Sequence, residues 1–116
     1  MTDSLSTHDA LSFWQATCLD LVRDDDVDLS LRQLVILLTI YLETPPHTVR
    51  GLAARLGVTK PVVTRALNAL GSRQLVERRR DATDRRNVLV QRTVEGALYL
   101  DRLAATISHH ADRFAR

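Results

Sequence analysis

Fifteen arginines and one lysine carry all the side-chain positive charge of this 116-residue chain apart from its histidines, and their placement is uneven. Met1 to His47 holds two Arg against eight Asp and Glu, a balance of −6. Thr48 to Arg92 holds eleven Arg and Lys against three acids, a balance of +8, and the rest holds three of each. The net charge of +2 therefore hides a basic block behind an acidic segment. A coding preference for Arg explains the choice of Arg over Lys but not its location. Clustered positive charge is the footprint of a surface that binds a polyanion.

Other chemistry has little to stand on. There is no glycine-rich phosphate loop, no metal-ligand set, and no serine or cysteine with an evident base, so no enzymatic activity, cofactor or metal is expected. A single cysteine, Cys18, excludes an intrachain disulfide framework and any multi-cysteine metal site. It falls at helical spacing with Leu11, Trp14, Leu21 and Val22, so it reads as a small buried hydrophobe; redox sensing would need an exposure and a lowered pKa that nothing indicates. The neighbours His109 and His110 diverge on a helix and make a weak metal pair, so exposed polar histidines are expected. His47, just ahead of the basic block, is the one to test for pH effects.

These residues must be positioned by short elements. Thr7 is expected to cap a first helix, residues 8–23, which ends in the acidic run Asp24–Asp26. Ser30 and Gln33 form a capping box that opens a second, largely apolar helix, stopped by Pro45-Pro46. Thr48 caps a third, Val49 to Leu56, closed by Gly57 in a left-handed cap. Thr59 is read as the cap of the next, residues 60–72, with Pro61 harmless in its first turn. There Val63, Ala66, Leu67 and Leu70 form the inward stripe, leaving Lys60, Pro61, Thr64, Arg65 and Asn68 outward. Two short helices around a glycine turn make a helix-turn-helix.

Leu75–Arg80 and Asn87–Arg92 are expected to be strands joined by the polar tip 81–86. Thr93 caps a last helix, 94–116, with Leu100, Leu103, Ala104, Ile107, Ala111 and Phe114 on one seam. The fold class is thus mainly α with a small β-hairpin, a single domain spanning residues 1–116. Within it the helix-turn-helix and the hairpin form a core at 31–93, with the hairpin at 75–92. No apolar run reaches the length of a membrane span and the N-terminus lacks signal-peptide features, so a cytoplasmic location is expected.

The run Thr48-Val49-Arg50-Gly51-Leu52-Ala53, then Leu56-Gly57-Val58-Thr59, Val63-Thr64-Arg65-Ala66-Leu67, Leu75-Val76-Glu77-Arg78, Asp81, Asp84-Arg85-Arg86, Thr93 and Gly96 resembles the DNA-binding core of the MarR family, over roughly residues 34 to 100. The resemblance implies a winged helix-turn-helix regulator, most commonly a repressor, that binds a pseudo-palindromic operator in double-stranded DNA as a homodimer. The helix from Lys60 would enter the major groove, with Thr59, Lys60, Pro61, Thr64, Arg65 and Asn68 toward the DNA. Arg65 would bridge guanine O6 and N7, and Asn68 would pair with adenine or a phosphate.

In the family Asp84 would hold Arg86 at the minor groove, while Arg78, Arg79, Arg80 and Arg85 meet phosphates; strand alternation is expected to turn at least one of the first three away to pair with Glu77 or Asp81. Thr48 and Arg50 complete the DNA-binding set. The first and last helices would pair between subunits through Leu5, Phe13, Leu103, Ile107, Ala111 and Phe114, with Leu19 nearby. The family's glycine at the helix end is Gln74 here, so the helix is expected to break at Gly71 instead. Against that resemblance the last helix is expected to be shorter than in many relatives, and the residues name no small-molecule effector. Two rival readings keep the fold: a protein-interaction module that reads no DNA, and a weakly specific DNA-coating protein.

Overall fold

The computed structural model describes residues 4–24 and 27–114. Its elements are α1 (Thr7–Arg23), α2 (Leu31–Leu42), β1 (His47–Thr48), α3 (Val49–Leu56), α4 (Lys60–Ser72), β2 (Val76–Arg80), β3 (Val88–Arg92) and α5 (Val94–Ala111). The chain divides into two compact units, one being Leu29–Leu100 and the other drawing on residues up to Asp28 and from Asp101 onward.

The larger unit is built on caps that the sequence announces. Ser30 Oγ accepts from the Gln33 amide at 3.1 Å while Gln33 Oε1 accepts from the Ser30 amide at 2.9 Å, which fixes the start of α2. Ile36, Leu37 and Ile40 of α2 are fully buried, as are Val63, Leu67 and Leu70 of α4. Each such side chain contributes roughly 1.5–3 kcal/mol by leaving water. Gly57 closes α3 at φ 71°, a left-handed cap that glycine adopts without strain.

The sheet has the order β1-β3-β2 with antiparallel neighbours. The hairpin was expected, and its strands begin one residue later than the sequence suggested. The two-residue β1 was not expected. It pairs His47 with Val90 and Thr48 with Leu89, and so ties the entrance of α3 to the wing.

Gln74 takes φ 62°, so α4 runs on to Ser72 and does not break at Gly71 as anticipated. Hydrogen bonds hold the turn: Leu75 N donates to Leu70 O and Gln74 N to Gly71 O, while Gln74 O accepts from Thr93 Oγ1 at 2.7 Å. Beside it, the Tyr41 hydroxyl accepts from the Thr93 amide at 2.9 Å and lies 3.1 and 3.0 Å from the carbonyl oxygens of Leu75 and Thr93. A Cβ on Gly96 would overlap both that hydroxyl and the Leu75 carbonyl, so no larger residue fits. Arg92 donates to Ile40 O at 3.0 Å and to Glu43 O, satisfying carbonyls at the end of α2.

In the smaller unit Ser6, not Thr7, caps α1, accepting from the Asp9 amide. The stripe expected to be buried is largely exposed in the single chain. Leu11, Trp14 and Val22 are 65%, 47% and 74% accessible, and the buried residue of α1 is Thr17, whose hydroxyl donates to Phe13 O. Cys18 is half-buried. α5 ends at Ala111 and passes into a 3-10 turn, Asp112–Phe114, so it stops short of the expected end. Phe13 and Phe114 meet edge to face, 6.2 Å between centroids. His110 is buried, against expectation, with Nε2 2.6 Å from Asp20 Oδ2, and His47 is buried too, bonded through Nε2 to Glu43 O. A half-apolar helix pair can bury a histidine once a carboxylate or carbonyl satisfies its ring.

Of the residues named for subunit pairing, Leu103 is buried and Phe13 and Phe114 contact each other within the chain, whereas Leu5, Ile107 and Ala111 remain exposed.

Candidate nucleic-acid interface

α4 presents its outward face because its inward one is fully committed. Val63, Ala66, Leu67 and Leu70 are buried, which leaves Lys60, Pro61, Thr64, Arg65 and Asn68 exposed. Thr59 has the extended backbone of a cap, yet its side chain caps nothing. A capping oxygen accepts from the second or third amide of the helix; the second residue here is Pro61, which has none, and the third goes unused. The Thr59 hydroxyl is left available for a ligand. Thr48 does cap α3, its Oγ1 accepting from the Gly51 amide at 2.9 Å.

The wing tip folds on its own carboxylates. Asp81 Oδ1 accepts from the amide and the hydroxyl of Thr83 at 2.9 and 2.7 Å. Its carboxyl is held below the usual range, first by the Thr83 hydroxyl and then by the Thr83 amide. Asn87 O accepts from the Asp81 amide and Asp84 O from the Asn87 amide, which closes the loop. Asp84 grips Arg86: Nε lies 3.1 Å from Oδ1, Nη2 lies 3.2 Å from Oδ2, and the Arg86 amide also donates to Oδ1. Those bonds pull the Asp84 carboxyl down, with a smaller contribution from the charge of Arg50. Arg86 is still 85% exposed, so it is a guanidinium held in place and presented to solvent.

Arg80 donates to the Arg85 carbonyl at 2.9 Å, bracing the tip. Arg78, Arg79 and Arg80 are all exposed, and none of them pairs with Glu77, Asp81 or another acid among the described residues. The expected turn of one arginine toward an acid is thus absent. The strand carries three arginines outward, and the acids of the tip, Asp81 and Asp84, are taken by Thr83 and Arg86.

Two clefts run beside α4. One, of 200 Å³, is lined on the wing side by Thr48, Arg50, Lys60, Thr64, Arg86 and Asn87, among others. It gathers, at one place, residues that the sequence had nominated from three separate elements. The second, of 130 Å³, is lined by Ser30, Arg32, Gln33, Val62, Arg65 and Ala66. Sequence reasoning nominated only Arg65 among these. Arg32 was hidden because it lies in the acidic N-terminal segment, where a charge count along the chain discards it. Asn68, Arg78 and Arg85 are exposed but line neither cleft.

Glu43 and Arg55 form a bridge at 2.9 Å from the end of α2 to α3. Their hydrogen bond lowers the Glu43 pKa and raises that of Arg55. Among the described residues no three His, Cys, Asp or Glu side chains gather as a metal site, and no helix is long and apolar enough to cross a membrane.

Solved structures share this arrangement. A transcriptional regulator from Thermotoga maritima superposes with a TM-score of 0.74 at 23% identity, over 90% of this chain and 71% of that one. The repressor CouR, solved bound to a 23-mer DNA duplex, gives 0.73 at 26% identity over 92% and 73%. MepR of S. aureus in a DNA complex gives 0.66 at 21% over 93% and 80%. No curated protein matches the sequence. The model of the MarR family matches residues 29–88, more than half the chain and all of the segment from the α2 cap to the first residue of β3, and the chain belongs to that family of transcriptional regulators.

Proposed function

We propose that the protein is a cytoplasmic transcriptional repressor that reads a specific sequence in double-stranded DNA as a homodimer. α4 enters the major groove and the wing tip, residues 81–86, meets the adjacent minor groove. The observation that carries this reading is the Asp84–Arg86 clasp, which holds a largely exposed guanidinium at the end of a hairpin beside α4. A pre-oriented arginine loses less entropy on entering a narrow groove, where negative potential is concentrated. Membership of a regulator family, and a DNA complex of a relative at 26% identity, support the same reading.

A homodimer is proposed from α1, whose exposed Leu11, Trp14 and Val22 line up at helical spacing. Dimeric readers of this class meet half-sites about 10 base pairs apart. Residues 31–93 would form the reading core, with α1 and α5 as the pairing helices.

The test is selection from random duplexes at two salt concentrations, followed by the same assay on Arg86→Ala. A two-fold symmetric motif, with affinity that falls steeply in salt and drops in the variant, is the expected result. Binding with no motif would replace this reading with a DNA-coating role. No retention at moderate salt would leave an interaction module instead.

A further inference from the structure

We infer that the cleft between α2 and α4 is a seat for a backbone phosphate of the DNA, with Arg32 and Arg65 as its two cations. This inference rests on the DNA-binding reading and assigns Arg65 to the backbone rather than to a guanine. The lining holds two guanidiniums and no carboxylate. Four arginines elsewhere in the larger unit are compensated: Arg55 by Glu43, Arg86 by Asp84, Arg80 by a carbonyl and Arg92 by the end of α2. Among the described residues neither Arg32 nor Arg65 has an ion pair. Two like charges brought to one cleft without an acid repel each other, and a bound anion reverses that cost. Gln33 adds neutral donors, because its Oε1 is spent on the Ser30 amide and its NH2 group remains.

Helix geometry says which anion. At about 100° per residue, Lys60 and Thr64 lie within about 40° of each other on α4, and Arg65 lies about 100° further round than Thr64. Lys60 and Thr64 face the wing cleft, while Arg65 lines the α2 cleft, so each edge of α4 borders one cationic cleft. A helix of about 10–12 Å diameter fills a major groove about 12 Å wide. Its centre line then meets base edges, and its two sides meet the phosphates of the two strands. Pro61 and Asn68 lie between the edges and are left, with Thr64 at the margin, to read bases.

Salt dependence and sequence preference separate the alternatives. Affinity for the selected motif is measured from low to high salt for the parent, Arg32→Ala, Arg65→Ala and Arg32→Lys, and selection is repeated with each. Both alanine variants should lower the slope of log affinity against log salt, by at most about 0.9 per protomer for the one phosphate they share, and leave the base preferences unchanged. The lysine variant should restore the slope. Both residues are exposed, so folding is checked simply by circular dichroism and melting. An Arg65→Ala protein that keeps its slope and loses preference at one base pair would overturn the inference in favour of guanine reading. An Arg32→Ala protein indistinguishable from the parent would remove the seat while leaving the reader intact. A parent that binds no duplex would overturn both readings together.

Discussion

Asp84 shows how one residue can set the availability of another. Its folded pKa is depressed, chiefly by hydrogen bonds from Arg86, so its contribution is present above the ordinary carboxylate pKa and is lost as pH falls through the lower, folded value. The clasp is therefore intact across the neutral range. We expect DNA affinity to show no titration of this group between about pH 5 and 8, the window in which only histidines ordinarily change charge. Asp84→Asn, measured by the same binding assay, should weaken binding less than Arg86→Ala, because it frees the guanidinium without removing it. Equal losses would mean that the carboxylate does more than hold its partner. The pattern Asp84-Arg85-Arg86 was legible in the sequence because local spacing alone brings the two side chains together. Arg32 was not, because its relation to Arg65 spans elements and arises only when α2 crosses α4.

At the scale of elements, the caps made the helices legible. Ser30 with Gln33, Thr48 with Gly57, and Thr93 each sit where a hydrogen bond in the structure uses them. Boundaries depending on tertiary partners were not legible: β1 exists because Val90 and Leu89 offer it an edge. The turn at Gln74 is the clearest case. The sequence placed an unfavourable residue there, and the expected escape at Gly71 fails because the bonds of Leu75, Gly71 and Thr93 fix the left-handed turn. A non-glycine residue in that region costs about 1 kcal/mol. Gln74→Gly should raise thermal stability, by several degrees at about 4–8 °C per kcal/mol for a domain near this size, with the DNA motif unchanged. A fall in melting temperature would mean that the Gln74 side chain stabilises the turn by more than its backbone strain.

For the molecule as a whole, the apolar surface left on α1 is the matter to settle. Leu11, Trp14 and Val22 are too exposed to serve the core of a single chain. The sequence had them as a buried face, which is what their periodicity says; periodicity does not tell whether the cover comes from the same chain or another. Sedimentation of the parent should give twice the chain mass, and Trp14→Glu should sediment as a folded monomer with weakened operator binding. A parent that sediments as a monomer at high concentration would exclude the dimer. The interior seam of α5 was only half legible for a related reason: Leu103 is covered, whereas Ile107 is not.

The phenolic oxygen of Tyr41 joins the end of α2, the root of the wing and the start of α5 at one point, with Gly96 pressed against it. That arrangement divides the hairpin by its tolerance of change over evolutionary time. Near the junction an insertion or a shifted register would strand several buried polar groups at once, whereas the tip between Asp81 and Asn87 is closed by exposed bonds of its own and by one from the adjoining Arg80. Outside the Asp84–Arg86 clasp, the length and sequence of the tip are therefore free to drift as binding sites diverge, while the root must stay as it is for the hairpin to remain aimed.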